Sequence, residues 1–273
     1  GTGPLLFLLA AQYARAGVAV AALLDATPKG NFRGALGKLP GFLASPNFAK
    51  GLRLIGEAAR STRRVRGVTA LAAEGEGRLQ RVRYVAGGRE ETLEARALLL
   101  HQGVVPQVHL AMSAGVPHRW SEARLAFEPE RDDDGATPVD GLFVAGDSGA
   151  IAGADAARAA GRLVGLAIAA RLGARVEASA REQARAALAK ANRGRAFVDA
   201  LFRPADHFRR PADDVVVCRC EEVTAGAIRD LARRGAQGPN QAKAFSRAGM
   251  GPCQGRLCGL TVAELMAEAR GES

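Results

Sequence analysis

The chain contains little of several residue types. Of its 273 residues only 4 are cysteines, all after position 217, and 5% are aromatic. A membrane-spanning helix needs ~20 consecutive apolar residues, but Gln12 and Arg15 interrupt the apolar run that begins at Pro4. No basic residue precedes that run, so a signal peptide is not expected either. These absences exclude a transmembrane segment and predict a cytoplasmic protein, with peripheral contact to the inner membrane face left open.

Acidic residues are also scarce relative to basic ones. The chain carries 28 acidic and 38 basic residues, which gives a formal net charge of +10. The arginines are spread along predicted helices such as "AREQARAALAKANRGR" and accompany no recognition motif. The charge therefore predicts a solvated basic surface, and nucleic-acid binding is not expected.

Helix and strand signals alternate through the first 200 residues. "PLLFLLAAQYARAG" predicts a helix and "VAVAALLD" a buried strand, while "RLQRVRYVA" and "ETLEARALLL" predict strands around a turn at 87–88. "GLFVAGD" (141–147) predicts a strand, and helices are expected after it to about residue 200. The pattern predicts an α/β fold, with a charged, proline-containing linker at 203–214.

The four cysteines form the strongest pattern in the chain. Cys218 and Cys220 make a C-x-C motif, and Cys253 and Cys258 make a C-x4-C motif. In a reducing compartment, thiols at such spacings are expected to be metal ligands rather than disulfides. Four thiolates can hold a [2Fe–2S] cluster, two per iron, or one tetrahedral zinc. Because C-x-C is tight for two ligands of one zinc ion, the spacing favours the cluster; zinc and two disulfides remain alternatives.

The residues around the cysteines suit a buried anionic group. Thr261 and Glu264 predict a capping box for a helix just past Cys258, and Thr224 predicts the cap of a helix just past Cys220. Glycines allow backbone N–H groups to approach the sulfurs closely; they lie at 249, 251, 255 and 259.

A second motif predicts a flavin contact. Asp147 follows the predicted strand "GLFVAGD", at the carboxyl end where α/β sheets bind ligands, and its carboxylate can accept a hydrogen bond from a ribityl hydroxyl of FAD. Gly146 and Gly149 permit close backbone approach, and the helix behind them offers its N-terminus to an anionic group. An ordinary capped turn is the alternative interpretation.

A weaker motif opens the chain. Gly1 and Gly3 precede a helix, and Asp25 ends the next predicted strand, which is the spacing of a dinucleotide-binding turn. Leu6 stands where the third glycine of that motif would lie, and Pro4 intrudes. The ligand would be NAD(P) or another adenine nucleotide; a purely structural turn is the alternative. None of the four histidines stands with a carboxylate in a recognisable catalytic motif, so all four are expected to be structural.

These motifs carry a family resemblance. "CRCEEVT…GMGPCQGRLCG" resembles the [2Fe–2S] module, related to bacterioferritin-associated ferredoxin (BFD), of flavoprotein subunits from opine oxidase, hydrogen cyanide synthase and proline or hydroxyproline dehydrogenase complexes. "GTGPLLFLLAAQ", "LLLHQGVVPQVHL" and "VDGLFVAGDSGAIAGADAARAAGRLVG" are similar to blocks of the same subunits, in the same order. Only Phe245 and Ser246 depart from the module, and they should not affect ligation.

The resemblance implies a fold and a set of domains. It implies part of a glutathione-reductase-type flavoprotein with two dinucleotide-binding domains, followed by a small α-rich BFD-like domain. Residues 1–100 would be part of the inserted NAD(P)-type domain and 101–202 the C-terminal part of the FAD domain plus a helical segment. After the linker at 203–214, residues 215–273 would form the [2Fe–2S] domain. The first FAD motif would lie upstream, so we expect a portion of a longer protein that binds FAD poorly alone.

The resemblance also implies a function. It indicates an electron-transferring FAD/[2Fe–2S] subunit of an amine- or amino-acid-oxidising complex, whose second flavoprotein subunit oxidises the substrate. Two alternatives remain at this stage: an NAD(P)H-dependent reductase that uses the Gly1–Gly3 turn, and a non-catalytic regulatory module that binds zinc or a cluster. The substrate and the electron acceptor are not readable from the sequence, and no general base is identifiable.

Overall fold

The computed structural model describes residues 1–272, which divide into two compact units, 1–203 and 204–272. Eight helices of the first unit are described: α1 (Pro4–Arg15), α2 (Asn31–Ala35), α3 (Leu39–Leu43), α4 (Pro46–Ser61), α5 (His109–Ser113), α6 (Ala154–Arg171), α7 (Ala178–Asn192) and α8 (Arg195–Leu201). Across the described part of the chain, no helix is both long and apolar enough to cross a membrane.

The strands of the first unit form three small sheets. Strand β1 (Leu23–Asp25) pairs in parallel with β2 (Arg64–Arg66). The antiparallel strands β3 (Val68–Glu74), β4 (Arg81–Ala86) and β5 (Arg89–Glu94) make a sheet in that order, and β6 (His118–Ser121) pairs with β7 (Ala126–Pro129). The predicted hairpin is confirmed, because Gly87 and Gly88 have φ of 61° and 79° and join β4 to β5.

The first helix and its neighbours follow the sequence prediction only in part. Helix α1 begins at Pro4, where a missing backbone N–H costs nothing, and packs its apolar face on α4 through Phe7 and Leu54. The predicted strand at 18–25 is too long: only Leu23–Asp25 pair, while Val18 is exposed. The first residues of "VAVAALLD" find no partner strand among the described residues.

The strand predicted at 141–147 is wrong. Within it only Phe143 forms a bridge, to Ala136, and Gly146–Ser148 form a 3₁₀ turn. The backbone of Val144 is already satisfied locally, since its N–H donates to the Gly135 carbonyl at 2.8 Å and its carbonyl accepts from Arg131 at 3.0 Å. The helices predicted after it are confirmed in α6, α7 and α8.

The second unit is a small helical domain with one β-hairpin. Its elements are α9 (Asp206–Arg209), β8 (Val216–Cys218), β9 (Val223–Thr224), α10 (Ala225–Arg233), α11 (Pro239–Ser246) and α12 (Gly259–Arg270). Its core is aliphatic and contains Ile228, Val262 and Leu265, together with Cys218 and Cys258. Two of the four thiols therefore belong to the core of this unit.

The predicted caps have opposite outcomes. Thr224 caps α10 as predicted, because its hydroxyl accepts from the Ala227 N–H at 3.3 Å. The capping box at Thr261 is wrong, since α12 already begins at Gly259 with Cys258 in the cap position. The helix begins three residues earlier than the capping box predicted, and Glu264 binds Arg209 instead.

Candidate functional site

The four cysteines come together in two pairs. Cys220 lies next to Cys253 and Cys218 lies next to Cys258, close enough in each pair for one thiol to shift the pKa of the other. Cys253 also lies near enough to Cys258 to raise its pKa. All four are free thiols. Within residues 1–272, no three His, Cys, Asp or Glu side chains surround one point as a single metal ion would need. Two adjacent pairs suit two irons with two thiolates each.

The two pairs differ in exposure. Cys218 and Cys258 are 1% and 2% exposed, whereas Cys220 is exposed and Cys253 is half-buried. The difference follows from the elements that carry them: Cys218 ends β8 and Cys258 precedes α12, and both elements pack in the core. A cluster held here would have one side in the core and one side near solvent.

Backbone N–H groups point at the sulfurs. Gly249 donates to Sγ of Cys218 at 3.4 Å, and the N–H of Leu257, followed by those of Gly255 and Arg256, donates to Cys253. Such hydrogen bonds stabilise anionic sulfur and tune a bound cluster. Gly249 and Gly255 have φ of 88° and 75°, a region that glycine adopts without strain.

Gly251 serves the site by its size. A Cβ added at this residue would lie 2.1 Å from Cβ of Cys220 and 3.2 Å from its Sγ. The two cysteine-bearing loops therefore approach each other at a point where only a hydrogen atom fits. Across the same gap, Nε of Arg247 donates to Glu221 at 2.8 Å and ties the loops together. Sequence reasoning missed this tie, since neither residue stands in a motif.

The two thiols of the second motif have opposite pKa shifts. Hydrogen bonds, chiefly from the Leu257 N–H, lower the pKa of Cys253. Burial, assisted by the contact with Cys218, raises the pKa of Cys258 to about 12. Without metal the inner thiol is thus neutral, and iron binding must displace its proton.

The residues predicted to contact FAD lie at the start of α6. Asp147 is exposed, and its Oδ1 accepts from the Ala152 N–H at 3.4 Å, which leaves most of its hydrogen-bonding capacity available. Gly146 has φ of 60°, and a Cβ there would lie 3.2 Å from Cβ of Ala157. Glycine is thus needed at 146 for the turn into the helix, and a free carboxylate fits a hydroxyl-bearing ligand.

Gly149 makes room for a half-buried arginine, Arg131. A Cβ at this position would lie 2.3 Å from Cζ of Arg131. The Arg131 guanidinium donates to the Val144 carbonyl, and burial lowers its pKa. Gly149 was predicted to approach a ligand, whereas Arg131 was missed because no sequence signal marks it.

A basic cleft lies beside the first turn of α6. It has a volume of about 560 Å³ and is lined by α4, α6 and α7. Its charged side chains are Lys50, Arg158, Arg162 and Lys190 and one acid, Asp155, which pairs with Arg158. The first turn of α6, which begins after Gly153, also lines it. Positive side chains and unpaired helix N–H groups together favour an anionic ligand.

The residues of the first motif are packed between two other segments. The Thr2 N–H donates to the His101 carbonyl at 2.9 Å, and the Ala26 N–H donates to the Gly1 carbonyl at 2.7 Å. A Cβ at Gly1 would lie 1.7 Å from the His101 carbonyl oxygen, and one at Gly3 would lie 3.4 Å from His101 Nε2. Packing therefore requires glycine at position 1, and a φ of 106° favours glycine at position 3. Burial lowers the pKa of His101.

Asp25 already has partners. It is 3% exposed, its Oδ2 accepts from Arg64 at 2.5 Å, and its Oδ1 accepts from the Thr27 N–H at 3.0 Å. Arg64 also stacks over the Phe7 ring, 4.6 Å from its centroid. Arg64 and the Thr27 N–H together engage both carboxylate oxygens, so the geometry supports a structural role. The nucleotide contact predicted for Asp25 stays a prediction.

The class of the second unit follows from a family match. Residues 216–268 match the BFD-like [2Fe-2S] binding domain. This match confirms the predicted BFD-like domain and agrees with two thiol pairs around one site.

The whole chain has curated relatives. It is 44% identical to an opine oxidase subunit from Agrobacterium tumefaciens (strain Ach5), over 97% of this chain and 54% of that protein. It is 30% identical to the hydrogen cyanide synthase subunit HcnB of Pseudomonas aeruginosa, over 94% of this chain and 58% of that protein. The chain thus spans about half the length of these relatives. The predicted resemblance to such oxidoreductase subunits is confirmed.

A solved structure shares the fold. The crystal structure of L-proline dehydrogenase from P. horikoshii superposes with a TM-score of 0.58 at 20% identity, covering 84% of this chain and 44% of that one. At this identity the similarity shows the fold alone. Together with the family match it confirms the predicted fold class.

Proposed function

We propose that this chain is part of the electron-transferring FAD/[2Fe–2S] subunit of an amine- or amino-acid-oxidising complex. The observation that carries the proposal is the arrangement of four thiols in two adjacent pairs within a BFD-like domain. The relationship to subunits named for opine oxidase and hydrogen cyanide synthase supports the wider assignment.

Cys218, Cys220, Cys253 and Cys258 would ligate the cluster, and Asp147 would bind a hydroxyl of FAD. When bound, the flavin takes two electrons at once and releases them singly, and the cluster carries one. The chain's own contribution is to hold anionic sulfur with the N–H groups of residues 249 and 255–257, and to present the basic cleft beside α6 to a negatively charged part of the flavin.

The substrate would be oxidised on a second flavoprotein subunit. The names of the relatives describe them as subunits, which supports assembly with a partner. Opines, proline, hydroxyproline, glycine and related amines are the proposed substrate class. A cytoplasmic location is proposed because the four thiols are free.

Anaerobic reconstitution tests the proposal. The chain should take up two irons and two acid-labile sulfides, and reduction should give the EPR signal of a [2Fe–2S] centre. Cys253→Ser should abolish that signal, whereas Met250→Leu in the same loop should keep it. One tightly bound zinc in place of iron and sulfide would reject the proposal in favour of a zinc-stabilised module.

A further inference from the structure

The two cysteine-bearing loops form an exposed surface beyond the ligands themselves. Leu257 is 74% exposed and Met250 is 46% exposed, and Pro252 between them is also exposed. These residues belong to the loop of Cys253, the less buried thiol of the second motif. We call Met250, Pro252 and Leu257, with the exposed arginines Arg219 and Arg256, the outer-loop surface.

The charge of this surface is one-sided. The loop from Gly249 to Gly259 contains one charged residue, Arg256, and Arg219 adds a second exposed positive charge between Cys218 and Cys220. Arg256 lies directly beside the site, because its Nη1 donates to the Cys253 carbonyl at 3.2 Å. Glu221 is neutralised by Arg247, so Glu222 is the one exposed acid beside the first motif in the described part of the chain.

Apolar residues surrounded by arginines are typical of an interface core with a charged rim. The surface also lies on the solvent-facing side of the site, next to the pair Cys220–Cys253. The opposite pair faces the core of the unit, whose aliphatic side chains separate it from solvent on that side. An electron therefore has its shortest route to an external acceptor through the outer-loop surface.

The geometry points to the outer-loop surface as the docking site of a one-electron acceptor protein that presents carboxylates around an apolar face over its redox centre. This inference rests on the proposed function and adds the acceptor's chemistry to it. Each encounter would transfer one electron: a reduced cluster held by the four cysteines would lose it, one centre of the acceptor would gain it, and no bond would form or break.

Binding and electron transfer to two cytochromes test the inference with the full chain. The probes are an acidic b-type cytochrome with carboxylates around its haem edge and a c-type cytochrome with lysines there. Affinity is measured by calorimetry at low and high salt, and ferric haem reduction is followed by stopped flow after reduction of the cluster. We expect the acidic cytochrome to bind more tightly, and added salt to weaken this binding.

Matched variants separate this surface from general charge. Arg256→Glu should weaken the affinity for the acidic cytochrome about tenfold at low salt, whereas Arg233→Glu, the same charge change at the end of α10, should weaken it less than about twofold. Leu257→Ser should weaken the affinity about tenfold at both salt concentrations, and Leu172→Ser, an equally exposed leucine of the first unit, should not.

Equal effects of Arg256→Glu and Arg233→Glu, or tighter binding of the basic cytochrome, would overturn the inference. The calorimetry does not depend on the cluster. A chain that takes up no iron would therefore refute the proposed function, while the binding data would still decide about the surface.

Discussion

At the scale of single residues, a missing side chain shapes the thiol site. Gly251→Ala would place a methyl group 2.1 Å from Cβ of Cys220, an atom fixed by its own backbone. We expect the variant to lower iron incorporation at least about tenfold, as displaced supporting groups of metal sites do. Iron and sulfide analysis after anaerobic reconstitution measures this.

The matched control is Gly238→Ala. Gly238 has an extended φ of −172° and no atom within 4 Å of an added Cβ, so iron incorporation should remain that of the unaltered chain. Normal iron content in Gly251→Ala would show that the loops can separate at no cost to the site.

A second residue-scale prediction concerns the Asp25–Arg64 ion pair. Arg64→Ala would leave a carboxylate with 4% side-chain exposure uncompensated, which should lower the free energy of unfolding by about 3–5 kcal/mol. Arg63→Ala breaks only the exposed pair with Glu91 and should cost less than about 1 kcal/mol. Urea denaturation followed by circular dichroism compares them; equal losses would contradict a structural role for the buried pair.

At the scale of elements, the two threonines of the second unit make opposite predictions. Thr224→Ala removes the cap of α10 and should destabilise that helix by about 1 kcal/mol. Thr261→Ala lies inside α12 and caps nothing, so it should be neutral within about 0.5 kcal/mol. Hydrogen exchange of peptides from 225–233 and 259–270 measures the stability of each helix. A larger loss of stability in Thr261→Ala than in Thr224→Ala would support the capping box.

At the scale of the whole molecule, the second unit should fold without the first, and its boundary can be tested. The predicted linker at 203–214 contains α9, whose Arg209 binds Glu264, and Asp213 accepts from Arg229 at 2.6 Å. The pair of Arg209 and Glu264 has side-chain exposures of only 13% and 10%. Part of the supposed linker thus supplies charge partners to α10 and α12.

A fragment of residues 204–273 should therefore load iron and unfold cooperatively. A fragment of residues 215–273 leaves Glu264 without Arg209 and should be less stable by about 3 kcal/mol or more. Thermal denaturation of both fragments gives the comparison, and Arg209→Ala in the longer one should reproduce most of the loss. Equal thermal midpoints for the two fragments would show that residues 203–214 are only a linker.

Local patterns predicted the parts that are governed by local physics. The Pro4 helix start, the Gly87–Gly88 turn and the Thr224 cap depend on neighbouring residues, and all are present. The cysteine spacing likewise predicted a [2Fe–2S] domain that the family match confirms. The strand at 141–147 was wrong because Arg131, 13 residues away in sequence, takes the Val144 carbonyl.

The remaining features depend on residues that are distant in the sequence and that no sequence motif indicates. Asp25 has the position of a ribose ligand in the sequence, but Arg64 reaches it from 39 residues away. His101 has no motif, yet its backbone carbonyl is the reason that residue 1 must be glycine. The difference in exposure between the inner thiols (Cys218 and Cys258) and the outer thiols (Cys220 and Cys253) follows from burial by α10 and α12. The spacing of the cysteines alone does not predict it.

The tie between Arg247 and Glu221 has a consequence for cluster assembly and repair. Arg247 has φ of 62°, a conformation that is costly for a side chain other than glycine or asparagine, and its contact closes the gap between the loops on the solvent side. Cys220 is exposed and Cys253 half-buried even with this contact formed, and opening it would let the two loops separate while Cys218 and Cys258 stay packed. Iron delivered to the folded protein would therefore meet the outer pair first, and oxidative damage would begin there as well.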